Sequence, residues 1–202
     1  LFYLLEAPRR RDEIIEALWE GEELKTATAS VHSTVHRLRK AISPIEIPYE
    51  DGWYRLAAEQ RWLDASEFDR LAEQGLASGQ IQDLEAAVAL YGGQYLEEFY
   101  STWCSRRRED LEARYTEVLA KLSEIYAQRG EYEKTVRSAK GALDRDPYRE
   151  ELHRRVMEAY WAQGNRVAAV RHYQSYVKLL AEELNVEPLP ETAELYQQIL
   201  QG

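Results

Sequence analysis

The chain has 202 residues, 45% of them hydrophobic and 31% charged, with a formal net charge of −10. This apolar share is enough to bury a core, which excludes a disordered or collagen-like chain, and no run approaches the roughly 18 apolar residues of a membrane-crossing helix. Cys104, the single cysteine, excludes an internal disulfide and fits a cytoplasmic location without a membrane partner.

The chain opens without Met, inside the apolar run Leu1-Phe2-Tyr3-Leu4-Leu5, and has neither the basic start nor the small-residue cleavage site of a signal peptide. It therefore reads as a fragment of a longer polypeptide. Next, Asp12 is expected to cap a short helix with Ile14, Ile15, Leu18 and Trp19 at helical spacing, and Gly21 to end it. A second helix is expected over residues 27–42, where Val31, Val35, Leu38 and Ile42 recur on one face. Pro44 stops it. Ile45, Ile47 and Tyr49, then Trp53 to Leu56, read as two short strands around Glu50-Asp51-Gly52, and Asp-Gly is a strong hairpin signal. Helix, helix and hairpin together describe a winged helix-turn-helix with a small β-hairpin wing. This assigns residues 1–61 to a DNA-binding domain.

Residues 62–202 are expected to form a second, mainly α domain of tetratricopeptide-like helical repeats. Leu122, Tyr126, Gly130 and Pro147 mark one helical hairpin. A shift of 34 residues brings Val156, Tyr160 and Gly164 into matching positions, with Glu133 matched to Val167 and Ala139 to Tyr173. That period, with Gly between the helices and Pro after the second, is the tetratricopeptide pattern. Pro147 has no counterpart at Ala181. An earlier, degenerate copy spans residues 64–93, and an aromatic-rich insertion, residues 94–107, interrupts the array. A last helix, residues 191–200, would cover the open end, since no hairpin can bury its apolar face alone.

Charge divides the two parts. Residues 1–62 carry 9 Lys/Arg against 11 Asp/Glu, a net of −2, whereas residues 63–202 carry 17 against 25, a net of −8. An acidic surface repels phosphate, so only the first part suits a nucleic acid. Within it, if Val31, Val35 and Leu38 face the core, then His32, Ser33, His36 and Arg37 project from the opposite face. These side chains are expected to bond base edges in the major groove. Thr28, Arg39, Lys40 and Arg55 are the expected phosphate contacts, which position without specifying.

Other chemistry finds little support. His32 and His36 have the spacing of a zinc-protease helix, but Ser33 stands where its Glu belongs, so no metal is expected. His153 and His172 are expected to pack or bond locally. Cys104 lies near Arg106-Arg107-Arg108, a setting that favours thiolate, yet no positioned base accompanies it. Without a Gly-rich phosphate loop either, the chain reads as a non-enzyme with no cofactor. Most aromatics of the second part fall at repeat core positions; Tyr95, Phe99, Tyr100 and Trp103 do not, and are expected either to pack or to offer a partner surface.

The run His36-Arg37-Leu38-Arg39-Lys40-Ala41-Ile42, followed by Gly52-Trp53-Tyr54-Arg55-Leu56, resembles the OmpR-type winged helix. Leu63-Asp64-Ala65-Ser66-Glu67-Phe68, Leu90-Tyr91-Gly92-Gly93-Gln94-Tyr95-Leu96, Trp103 with Arg108 and Leu111, and Ala181-Glu182-Glu183-Leu184-Asn185-Val186-Glu187-Pro188 resemble the bacterial transcriptional activator domain. In this order the pieces resemble SARP-type transcription regulators. The resemblance implies sequence-specific binding to double-stranded DNA and contact with RNA polymerase or another transcription protein; a homodimer is a further partner arrangement compatible with it, and the sequence does not set the oligomeric state. It also implies that the chain opens at the helix following the family's N-terminal β-sheet. OmpR-type domains often place Arg at the wing tip, where this chain has Glu50-Asp51, so a weak wing contact or none is expected. Asn185 stands where Gly is usual, and Asn tolerates a left-handed cap. The competing reading is a protein-interaction scaffold whose winged helix serves packing or dimerisation.

Overall fold

The computed structural model describes residues 1–57 and 62–202. They fall into two units: Leu1–Glu67 with Gly93–Glu109, and Phe68–Gly92 with Asp110–Gly202. The boundary expected at Arg61 lies outside the described residues.

In the first unit the opening apolar run is helix α1 (Phe2–Glu6), followed by strand β1 (Arg9–Arg10) and helices α2 (Arg11–Leu18) and α3 (Leu24–Ala41). Asp12 is not the cap of α2. The Glu13 carboxylate, one turn inside the helix, accepts the Arg10 backbone N–H at 3.0 Å, while Asp12 pairs with the Arg11 side chain at 3.2 Å. A carboxylate at that position satisfies a backbone N–H that the helix leaves unpaired. α3 begins three residues before the apolar pattern does, because its first turn, Leu24-Lys25-Thr26, contributes no buried side chain. Past it, Ala27, Val31 and Val35 are buried. Leu38 and Ile42 pack at the edge of the same core, which also contains Leu4, Ile14, Ile47, Tyr54 and Leu56. Burying each such aliphatic side chain stabilises by about 1.5–3 kcal/mol, and this apolar stripe fixes which face of α3 turns outward.

The expected hairpin is present as β2 (Tyr49–Glu50) and β3 (Trp53–Tyr54). Asp51 and Gly52 have φ of +51° and +86°, the two positive values that a two-residue type I′ turn requires. The strands are shorter than the sequence suggests, with a separate bridge between Glu46 and Ala57. β1 joins the far side of β3, giving a three-stranded sheet in the order β1-β3-β2.

The second unit is helical. Its elements are α4 (Asp64–Ser78) and α6 (Thr102–Gln128), each of which begins in the first unit, with α5 (Ile81–Leu90), α7 (Tyr132–Leu143), α8 (Glu150–Ala162), α9 (Arg166–Glu183) and α10 (Pro190–Gln201). The 34-residue period is visible in the backbone. Glu131 N–H donates to Tyr126 O, and Asn165 N–H donates to Tyr160 O, both at 2.9 Å. Gly130 and Gly164 share a φ of +72°, a conformation that costs glycine nothing at a helix end. Leu119, Ala139, Ala142, Leu152 and Val156 fill the core between these hairpins. α10 is the expected covering helix, and closes a second cluster with Met157, Ala169, Leu195 and Ile199. Asn185 occupies a left-handed position, φ +53°. The segment Gly93–Glu109, which includes the whole insertion, groups with the first unit.

Candidate nucleic-acid interface

Burial of Val31 and Val35 leaves His32, Ser33, His36 and Arg37 exposed together on α3. Residues 32, 33, 36 and 37 are neighbours at one-, three- and four-residue spacing, so they form one continuous polar strip. Thr28 is half-buried, and its hydroxyl donates to Leu24 O at 2.7 Å. Lys40 is exposed in the last turn, where a cation complements the helix dipole.

Arg39 has a second engagement that its place in the sequence does not reveal. Its Nε and Nη2 both donate to Ile47 O, at 3.0 and 2.5 Å. This joins the end of α3 to the segment leading into the hairpin. Arg55 is on the hairpin, and its Nη2 lies 3.0 Å from a Glu50 carboxylate oxygen. Both side chains are more than half exposed, 57% and 63%, so solvent screens the pair and it contributes little to stability.

Sequence reasoning missed Arg10. Its guanidinium sits over the Trp53 ring, 4.9 Å from the centroid, an arrangement held by the attraction of a cation to the ring's negative face. The signal present was the run Arg9-Arg10-Arg11, but nothing local shows that it pairs with the hairpin.

The four insertion aromatics are mostly occupied within the first unit. Phe99 meets Phe2 edge-on with centroids 5.6 Å apart, and Trp103 lies 5.0 Å from Tyr3. Tyr95 bonds Glu6, and burial together with that carboxylate pushes its phenol pKa well up. Tyr100 is the most open of the four, at 88% exposure, and Phe99 is exposed at 45%. Two arginines of the basic triplet are also used internally: Arg107 Nε reaches Glu6 at 2.9 Å, and Arg108 donates to the carbonyls of Tyr95, Leu96 and Phe99. Cys104 is fully buried, and burial raises its thiol pKa despite the nearby Arg108. The setting is thus the reverse of one that favours thiolate.

Residues 63–200 match the family of the bacterial transcriptional activator domain. The chain belongs to that family. Its relatives extend the likeness beyond the matched segment. This activator-domain chain is 29% identical over 197 residues to the regulatory protein AfsR of Streptomyces griseus, an alignment covering 94% of the chain and 20% of AfsR. It is 26% identical over 204 residues to the transcriptional regulatory protein MoaR1 of Mycobacterium tuberculosis, covering 94% and 66%. The chain thus spans about one fifth of the length of AfsR. Mycobacterium tuberculosis EmbR, solved in complex with a low affinity phosphopeptide, shares the fold with a TM-score of 0.74 at 24% identity, over 99% of this chain and 57% of that one. The named relatives are regulators, in keeping with the SARP-type resemblance read from the sequence. No helix among the described residues is long and apolar enough to cross a membrane.

Proposed function

We propose that the chain is the DNA-reading and activating portion of a sequence-specific transcription regulator. Residues 1–61 act as the winged helix and residues 62–202 as a tetratricopeptide-like partner domain. The observation that carries this is the outward strip His32, Ser33, His36 and Arg37 on an 18-residue helix anchored by Val31 and Val35. α3 enters the major groove, where Arg37 suits a guanine edge and the imidazoles and hydroxyl bond neighbouring bases. Lys40 and Arg55 hold phosphates. Thr28 adds a hydroxyl contact near the start of the helix. Arg39 commits two of its donors to Ile47 O, so it sets the angle between helix and wing as well as offering its remaining N–H groups to phosphate. The helical-repeat unit contacts RNA polymerase, another transcription protein or a second protomer, and Tyr100, in the insertion that groups with the first unit, is the most exposed insertion aromatic.

Fluorescence anisotropy with a labelled duplex from the region upstream of the gene tests this reading. Affinity is expected to fall steeply with salt, because each phosphate contact releases counterions. Arg37→Ala is expected to lose specific binding by about 1–3 kcal/mol with an unchanged melting temperature. Salt-insensitive binding, or full affinity in Arg37→Ala, refutes it. The scaffold reading draws on the acidic hairpin tip, Glu50-Asp51, and gains if substituting Arg37 and Arg39 leaves every interaction of the protein intact.

A further inference from the structure

The hairpin tip is acidic, yet the sheet behind it is not. Cross-strand partners in an antiparallel sheet project to the same side. The register Arg10–Trp53–Glu50 therefore forms one row, and Arg9–Tyr54–Tyr49 the other. Tyr54 is buried in the core at 3% exposure, so the row containing Arg10 faces solvent. Arg55, two residues beyond Trp53, lies on that side too and reaches Glu50.

The three consecutive arginines have different circumstances. Arg9 donates to Tyr3 O, lies near Glu6 and covers the Tyr3 ring. Arg11 pairs with Asp12. Arg10 is exposed, and its guanidinium forms no ion pair among the described residues. Its place over the Trp53 ring leaves the guanidinium N–H donors unspent, and such a donor fork suits a phosphate oxygen pair.

Resting on the DNA-binding reading above, we infer that the outer face of this sheet is a second phosphate-binding surface, with Arg10 held on Trp53 as its principal cation. Arg55 supplies the adjacent charge by exchanging Glu50 for a phosphate. One tie joins this face to α3, Arg39 to Ile47 O at the base of the hairpin, and a second, Arg11 N–H to Gly52 O at 3.3 Å, holds its tip against the start of α2. The wing then grips the backbone through its flat side rather than by inserting its tip.

The test uses the full chain and the same upstream duplex, titrated across potassium chloride concentrations. Arg10→Ala removes one phosphate contact, so the slope of log affinity against log salt is expected to fall by about 1, and affinity near 0.15 M salt by about fivefold. Trp53→Leu is expected to lose part of the same increment. Glu50→Gln is expected to tighten binding, since it removes a carboxylate and releases Arg55. The Glu13 cap uses the Arg10 backbone, not its side chain, so Arg10→Ala keeps α2 intact, and thermal melting checks this. If Arg10→Ala retains the wild-type slope while Arg37→Ala loses binding, the inference is overturned and the major-groove reading stands. If neither substitution matters, or the wild type does not bind, both fall.

Discussion

His153 and His172 meet in the second unit with Nδ1 and Nε2 3.0 Å apart, and His153 Nε2 lies 2.9 Å from Pro147 O. A carbonyl only accepts, so Nε2 of His153 carries the proton and its Nδ1 accepts from His172. Burial lowers the pKa of both rings, which favours the neutral form of each. The His153 ring also stacks on Tyr176 at 3.9 Å. Burial, then the neighbouring His153 and Lys140, push the His172 pKa down from 6.5 to about 4. The unfolded chain therefore takes up a proton, between these values, that the folded chain refuses. Stability from this site is complete above pH 6.5 and is lost as pH falls toward 4. Melting temperatures measured across that interval should drop, and His172→Gln should flatten the dependence; an identical slope in the variant contradicts the assignment. From the sequence these histidines are expected only to pack or bond locally; their shared contact, which joins α8 to α9, is not legible there. Arg39 illustrates the same limit. Its position near a helix end marks it as a cation for phosphate, and only the folded chain brings Ile47 O to its guanidinium.

Elements follow the sequence closely where their signal is local. Val31, Val35 and Leu38 set the inward face of α3, and Asp51-Gly52 sets the turn, because side-chain period and backbone φ depend on residues a few positions apart. The 34-residue repeat is legible for the same reason. Packing between elements is less so. Gly75 lies within α4, where glycine is usually a cost. A Cβ added there would fall 2.8 Å from the Leu84 side chain and 3.0 Å from its backbone nitrogen. Since Leu84 is fully buried on α5, it has nowhere to withdraw. Gly75→Ala returns about 1 kcal/mol of helix propensity, but the overlap costs about 1–3 kcal/mol. Chemical denaturation should accordingly show a net loss, and a gain in stability would mean that the two helices separate more easily than their packing implies.

At the scale of the whole molecule, each helical hairpin is stabilised by its neighbour, so the ends matter most. α10 covers Met157 and Ala169 with Leu195 and Ile199. A chain truncated before Pro190 should melt several degrees lower and bind a hydrophobic dye; unchanged melting would show that α8 and α9 need no cover. The sequence by itself determined the two helices and hairpin of the first part, the repeat of the second and the covering helix. Each is written in spacings of two, three, four or 34 residues that the chain carries wherever it folds. It also determined the family, through motifs in a fixed order. Only the tertiary structure decided that Arg9-Arg10 is a strand beside Trp53, that Gly93–Glu109 groups with the first unit rather than with the repeats, and that Tyr95, Phe99 and Trp103 are spent on Glu6, Phe2 and Tyr3. These are pairings between segments far apart in the chain. Their free energy comes from surfaces that exist only once both segments are in place, so no local pattern records them.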